Sequence, residues 1–588
     1  MKRFIIGFLA VIGGLAILAA FVAAAVGILS MAGKERVSGK TILELNLETM
    51  MVEYVPDDPV SRAMLSDTTA VRDVVEALER AAEDRRVVGV YARVGAGAMG
   101  LAQIQEIRDA VLAFRASGKP AIAYSETFGE VGPGNGAYYL ATAFDEVYLQ
   151  PSGDIGLTGL IYESMFLAGT FEKLGIAPRM DHRKEYKNAM NAYTETAYTD
   201  AHREAMTAIM DSQFDQMVGG IAEGRGLSEE DVRAAFDTGP HLGEEALELG
   251  LVDGIGYRDE VLGALRERVG ENARLLYVKP YLQRAGRPHR KGDTIALVYG
   301  VGAVIRGGSG YDPVTGNFYM GSNDVARALR SAIDDDRVKA IVFRVDSPGG
   351  SYVASDTIWR ETVRARESGK PIVVSMGNVA GSGGYFVSMA AEGIVAQPGT
   401  ITASIGVLGG KMLTEGLWEK LGISWDEVHT SANATMWTGT HDYNETEYAR
   451  FQAWLDRVYE DFTGKVAAGR GMELEEVLEI ARGRIWTGED ALEIGLVDEL
   501  GGLPTAIRRA KEAAGIAEED PVRLRVFPSP RSPFDALFGE DADSSEGRAI
   551  RSAVEVARRI QPVLRALHAL GIEEDPGVLT MPEAETFR

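Results

Sequence analysis

Two stretches of this sequence, roughly 250 residues apart, repeat one another in order and in spacing. The first reads Gly118-Lys119-Pro120, then Asn135-Gly136-Ala137-Tyr138-Tyr139-Leu140, then Gln150-Pro151. The second reads Gly369-Lys370-Pro371, then Ser382-Gly383-Gly384-Tyr385-Phe386-Val387, then Gln397-Pro398. Sixteen residues carry Asn135 to Pro151, and sixteen carry Ser382 to Pro398. The match continues from Phe171-Glu172-Lys173-Leu174-Gly175-Ile176 to Trp418-Glu419-Lys420-Leu421-Gly422-Ile423, and from Gly250-Leu251-Val252-Asp253 to Gly495-Leu496-Val497-Asp498. A repeat of this period means one domain fold used twice, and differences between the copies mark where their tasks diverged. Length alone would suggest about four ordinary domains; the repeat replaces that with two of about 230 to 250 residues, each able to bury a full core.

Each copy opens on a short extended run, Thr41 to Leu45 and Thr294 to Val298, followed by a helical stretch, Val71 to Ala82 and Asp324 to Ile333. Asn323 and Asp324 offer capping side chains for the second of these helices. β-branched runs follow, Val87 to Val94 and Val338 to Val345, then a helix ending at Ser-Gly-Lys-Pro and another apolar strand. Later comes a long helical arm, Asn444 to Ala468 in the second copy. Strands alternating with helices indicate an α/β fold with largely parallel pairing. Before the repeat, Phe4 to Ala32 carries no charge and is long enough to span a bilayer, longer than the apolar region of a cleaved signal peptide. Lys2 and Arg3 would stay on the cytoplasmic side, leaving the bulk of the chain outside it. The boundaries are therefore a cytoplasmic N-terminus and transmembrane anchor over 1–36, a first domain over 37–282, a linker over 283–293, a second domain over 294–527 and a C-terminal extension over 528–588. Gly547 to Leu570 reads as an amphipathic docking or oligomer helix.

Composition closes several routes. A net charge of −25, with no basic stripe, argues against holding nucleic acid. The absence of cysteine excludes disulfides, thiolate catalysis and cysteine metal sites.

The chemistry concentrates on Ser382. In Ala380-Gly381-Ser382-Gly383-Gly384-Tyr385 the flanking glycines let the backbone turn sharply between strand and helix, exposing a hydroxyl at a helix N-terminus whose free N–H groups stabilise an oxyanion. It is not the Gly-x-Ser-x-Gly elbow, because position 380 is alanine. Upstream, Asp346-Ser347-Pro348-Gly349-Gly350 follows a strand and can aim a backbone N–H into a cleft. The first copy has Gly95-Ala96-Gly97-Ala98-Met99 there, so this element and the serine are lost together, as a shared role predicts. A serine needs a base. None of the seven histidines sits in a triad setting; a lysine can serve if burial lowers its pKa enough to leave the amine neutral.

Gly381-Ser382-Gly383-Gly384-Tyr385, Asp346-Ser347-Pro348-Gly349-Gly350 and Thr402-Ala403-Ser404-Ile405-Gly406 together resemble the signal peptide peptidase A (protease IV) family in its long, tandem form, over about residues 40 to 510. Ala403 stands where that form often has glycine and Asp346 where asparagine is common. The resemblance implies two tandem ClpP/crotonase-like domains built from ββα units, and an endopeptidase for cleaved signal peptides and other short unfolded hydrophobic peptides. It implies Ser382 as nucleophile, Lys187 in Glu185-Tyr186-Lys187-Asn188-Ala189 as general base, and Ser404 as the residue orienting the lysine. Lys184 is the wrong choice, three residues away. Gly350, Gly349 and Gly383 would form the oxyanion hole. No metal or cofactor is implied. Also implied are a homotetrameric bowl and a place in the bacterial inner membrane with the catalytic domains on the periplasmic side. The counterparts of Lys187 and Ser404 are Ala434 and Leu157, so neither half holds a complete dyad. The rival readings are a crotonase-type acyl-CoA hydratase or thioesterase, and a non-catalytic membrane scaffold.

Overall fold

The computed structural model describes residues 36–56, 61, 64, 65, 68–95, 97, 99–528, 579 and 580. The expected anchor over Phe4 to Ala32 and the expected helix over Gly547 to Leu570 lie outside them. Among the described residues no helix is long and apolar enough to cross a membrane.

The repeat is visible as two sheets with one strand order. In the first half the order is Gly254–Ile255, Glu146–Leu149, Ala121–Ser125, Val87–Val94, Thr41–Leu47, Arg274–Tyr277, all parallel. In the second it is Glu499–Leu500, Gly393–Ala396, Ile372–Gly381, Val338–Ser347, Asp293–Val301, Val522–Phe527, again parallel. Even an irregularity recurs: the register slips between Thr41 and Ile42 against Val87–Val94, and between Thr294 and Ile295 against Val338–Ser347.

Both faces of each sheet are covered, which is why the strands read as nearly continuous apolar runs. Leu43, Leu45, Val90 and Ala92 join one core, while Ile42, Tyr91, Ile122 and Tyr124 point the other way into a second. The alternation of Ala296, Val298, Ile341 and Phe343 with Ile295, Leu297, Ala340 and Val342 repeats this division. The period-2 geometry of a strand thus feeds two layers in each half.

Some local expectations need correction. Helix Val278–Ala285 takes in the first three residues of the expected linker, and the next strand begins at Asp293. Helix Ser322–Asp334 starts two residues before Asp324, from Gly321 with no side-chain cap. Asp324 is committed elsewhere, its Oδ2 accepting the Ser309 N–H at 2.8 Å. The long arm, Glu445–Arg470, is capped as a helix of this length requires: Asn444 accepts the Glu447 N–H and Glu447 accepts the Asn444 N–H.

Several contacts join the halves. Ala177–His182 of the first pairs antiparallel with Leu408–Leu413 of the second. A buried ion cluster forms another: Arg344 donates to Glu53 at 2.8 Å, Glu106 at 2.7 Å and Ser375 at 2.8 Å. Breaking such a cluster on one side would leave an uncompensated buried charge, at about 3–5 kcal/mol.

Candidate active site

Ser382 stands where strand Ile372–Gly381 passes into helix Gly383–Ser388. Its backbone is unusual, with φ 52° and ψ −111°. A side chain in such a region costs on the order of 1–3 kcal/mol and persists only when neighbours hold it. Here the Ser382 N–H donates to the Ala403 carbonyl at 2.7 Å, and its own carbonyl accepts the Phe386 N–H at 2.8 Å. The hydroxyl does not cap the helix. It faces Lys187.

The glycines after it are required by close approach. A β-carbon on Gly384 would stand 2.5 Å from the Ser347 carbonyl oxygen, and one on Gly383 would stand 3.0 Å from Gly349 Cα and 3.1 Å from the Gly350 nitrogen. The nucleophile turn and the Asp346-to-Gly350 loop are therefore pressed together. Within that loop Ser347 donates to the Gly302 carbonyl at 2.6 Å, and the Gly349 N–H donates to Ser347 Oγ at 3.2 Å. The Gly349 N–H turns back onto its own loop, and Gly349 and Gly350 both meet Gly383 beside the serine.

Lys187 arrives from the first half. Beyond the Ala177–His182 pairing, the Arg183 N–H donates to the Val407 carbonyl at 2.9 Å and the Tyr186 N–H to the Arg482 carbonyl at 3.1 Å, threading the chain into the second half. Lys187 is 1% exposed, whereas Lys184 lies on the surface. The Lys187 Nζ is 2.8 Å from Ser382 Oγ, 2.9 Å from the Ser404 carbonyl oxygen and 3.0 Å from Ser404 Oγ. Burial pushes its pKa down to about 7. A neutral amine has two N–H groups and one lone pair. With the N–H groups on the two Ser404 oxygens, the lone pair is left for the Ser382 proton.

Sequence reasoning missed the glycines that pack against the backbone and stem of Lys187. A β-carbon on Gly483 would stand 2.5 Å from the Lys187 backbone nitrogen, and one on Gly406 3.2 Å from Lys187 Cδ. It also missed the Arg344 cluster, although Arg344 is the one charge in Ile341-Val342-Phe343-Arg344-Val345, a strand covered on both faces. Two residues further along, Asp346 Oδ1 accepts the Val379 N–H at 2.9 Å. Burial, reinforced by the Glu53 carboxylate, pushes the Asp346 pKa up to about 7.

A buried serine hydroxyl against a desolvated lysine amine, on parallel α/β sheets, is the arrangement of a serine hydrolase that works without histidine. Comparison with known proteins sharpens the class. The Peptidase family S49 model matches residues 113–272 and 364–517, once in each half. The chain is 34% identical over 470 residues to the chloroplastic serine protease SPPA of Arabidopsis thaliana, covering 78% of this chain and 68% of that one. It is 32% identical over 463 residues to protease 4 of Salmonella typhi, covering 76% and 72%. A solved ClpP1 mutant from Listeria monocytogenes aligns at 17% identity over 36% of this chain and 94% of its own, with a TM-score of 0.23. This chain belongs to peptidase family S49 and is a serine protease, a homologue of signal peptide peptidase A and protease IV. The hydratase, thioesterase and scaffold readings fall away.

Proposed function

We propose that the protein is a membrane-anchored endopeptidase that degrades cleaved signal peptides and other short, unfolded hydrophobic peptides with a Ser382/Lys187 dyad. The observation that carries this reading is the 2.8 Å approach of a buried lysine amine, with its pKa near 7, to the serine hydroxyl. Lys187 takes the Ser382 proton as Oγ attacks the peptide carbonyl, and N–H groups of Gly350 and Gly383 receive the oxyanion. The ammonium then protonates the leaving amine. Water, deprotonated by the same lysine, releases the acyl group and restores the hydroxyl. Ser404 orients the amine throughout.

Extended chain as substrate is supported by the loop beside the serine. Gly349–Gly350 already pairs antiparallel with Leu579–Thr580 of the C-terminal extension, so this edge accepts a strand. In keeping with the family resemblance, each half is read as a ClpP/crotonase-like domain. The chain is read as a homotetrameric bowl whose apolar grooves admit unfolded peptide, anchored in the bacterial inner membrane with its catalytic halves in the periplasm. Full-length protein in detergent, given an unstructured apolar peptide and a folded protein of equal length, should cleave only the peptide. Cleavage of both at one rate would overturn the substrate assignment, and equal peptide cleavage by Ser382→Ala would overturn the mechanism.

A further inference from the structure

In the second half the sheet is interrupted just before the nucleophile. Val345 pairs with Met376 and the next pair is Ser347 with Ala380, so residues 377–379 lie opposite Asp346 alone. A β-bulge of this kind breaks the ladder, bends the strand and leaves backbone groups that need other partners. The strand then runs on through Gly381 into Ser382. The matching ladder of the first half runs without a slip, from Val90 with Ala121 to Arg93 with Tyr124, and its strand ends at Ser125. Gly95 stands there in place of Asp346.

Three side chains hold the bulge. Asp346 Oδ1 accepts the Val379 N–H at 2.9 Å, and the Thr400 hydroxyl donates to the Gly377 carbonyl at 2.8 Å. Asn378 Oδ1 accepts the Gln103 N–H of the first half at 3.1 Å. Glycines permit both approaches: a β-carbon on Gly377 would stand 2.8 Å from Asp346 Cβ, and one on Gly100 2.3 Å from Asn378 Cγ. Helix Leu101–Arg115 starts from Gly100 with no side-chain cap of its own, so Asn378 supplies from the other half the acceptor that a capping residue would.

Asp346 is itself fixed by the loop it opens. Its carbonyl accepts the Gly302 N–H at 2.8 Å, and Ser347 next to it donates to the Gly302 carbonyl. One residue thus ties the loop that carries Gly349 and Gly350 to the strand that carries Ser382, gripping that strand three residues before the serine. The fold alone does not account for this carboxyl. The first half builds the same strand order and keeps the arginine of the same strand, Arg93 for Arg344, but lacks the carboxyl, the bulge and the serine. The carboxyl goes with the nucleophile.

We infer that Asp346 is a positioning residue for the nucleophile. By holding the bulge over 377–379 it sets where Ser382 stands relative to Lys187 and to the N–H groups of Gly350 and Gly383. Asn378 registers the same bulge on the half that supplies the lysine. This role rests on Ser382 as the nucleophile of the proposed function. Oδ1 accepts a hydrogen bond in the neutral and the ionised carboxyl alike, so the clamp holds on both sides of the group's titration. Asparagine offers the same oxygen in the same place. Alanine leaves the Val379 N–H without its acceptor and the bulge free to relax, and a displacement of about 1 Å at a reacting group can cost about 10²-fold in rate.

Full-length Asp346→Ala and Asp346→Asn in detergent, assayed on an unstructured apolar peptide, separate positioning from mere support. Asp346→Ala should lower kcat about 10- to 100-fold with KM within about twofold of wild type, and Asp346→Asn should keep kcat within about threefold. Acylation of Ser382 by a small serine-directed reagent should fall in parallel with kcat, since it needs no peptide binding. Asn378→Ala, which leaves Asp346 in place and releases the bulge from the first half, should lower kcat at least about threefold with KM unchanged. Wild-type kcat in a folded Asp346→Ala, asparagine as damaging as alanine, or a loss confined to KM would overturn the role. If Asp346→Ala does not fold, wild-type kcat in Asn378→Ala overturns it instead. Full activity in Ser382→Ala would remove the nucleophile and its clamp together, whereas an inactive Ser382→Ala beside any of those results removes the clamp alone.

Discussion

The two halves share strand order, a sheet irregularity and helix positions, yet treat one position in opposite ways. In the first, the Asn135 amide ties its own loop together: Nδ2 donates to the Gly159 carbonyl at 2.7 Å, and Oδ1 accepts the Thr158 N–H at 3.0 Å. In the second, Ser382 is held at positive φ with its hydroxyl turned outward from its loop to an amine from the other half. The base position is reversed, with Lys187 buried and Ala434 exposed. One half therefore carries a strained nucleophile and the other a desolvated lysine. Lowering that amine from 10.5 to about 7 costs on the order of 5 kcal/mol. The lesson is that a duplicated fold can divide one active site by exchanging a few side chains, with the scaffold left unchanged.

The largest expected effect falls on the dyad itself. Ser382→Ala and Lys187→Ala should each lower kcat/KM on an apolar peptide by at least about 10³-fold, and the double variant should be no worse than either, because the two act as a unit. Ser404→Ala removes one of the oxygens that orient the amine and should lower kcat about 10- to 100-fold with KM little changed. Leu157→Ser, the reverse change in the first half, should gain nothing.

Titration distinguishes the halves next. Activity needs the neutral amine, so kcat/KM should rise with pH about a midpoint near 7 and stand at about one-tenth of its plateau at pH 6. Stability has the matching sign. A depressed folded-state pKa contributes stability that is present above 10.5 and lost as pH falls through about 7. Lys187→Met should remove that slope and unfold at higher denaturant concentration than wild type at pH 7. The smallest effect is expected in the first half, where Asn135→Ala should cost about 1–2 kcal/mol in denaturant unfolding and leave kcat/KM unchanged.

The α/β alternation with parallel pairing was legible because covered strands must be apolar on both faces, and the repeat gave each element a second witness. Ser382 was legible from the glycines that its crowded turn demands. Lys187 was reached only through its family context, since Glu185-Tyr186-Lys187-Asn188-Ala189 contains nothing that announces burial. The strand that delivers it, Ala177–His182, contains proline, arginine and aspartate and lacks the alternation of a half-buried strand. Its partner lies in the other copy, beyond the reach of local pattern. The same limit hid Glu53 and Glu106, whose role depends on an arginine about 290 and 240 residues away. The direction of the Gly349 N–H follows from a loop closed by Ser347, which spacing does not encode.

That a lysine from one half serves a serine of the other is tested most directly by the pH dependence of Ser382 acylation, followed by mass spectrometry with a serine-directed reagent. The expected rate rises about a midpoint near 7 in wild type, and in Lys187→Ala it falls at least about 10³-fold and loses that midpoint. Equal acylation of Ser382 in both proteins, or a wild-type midpoint near the ordinary lysine value of 10.5, would contradict the shared site.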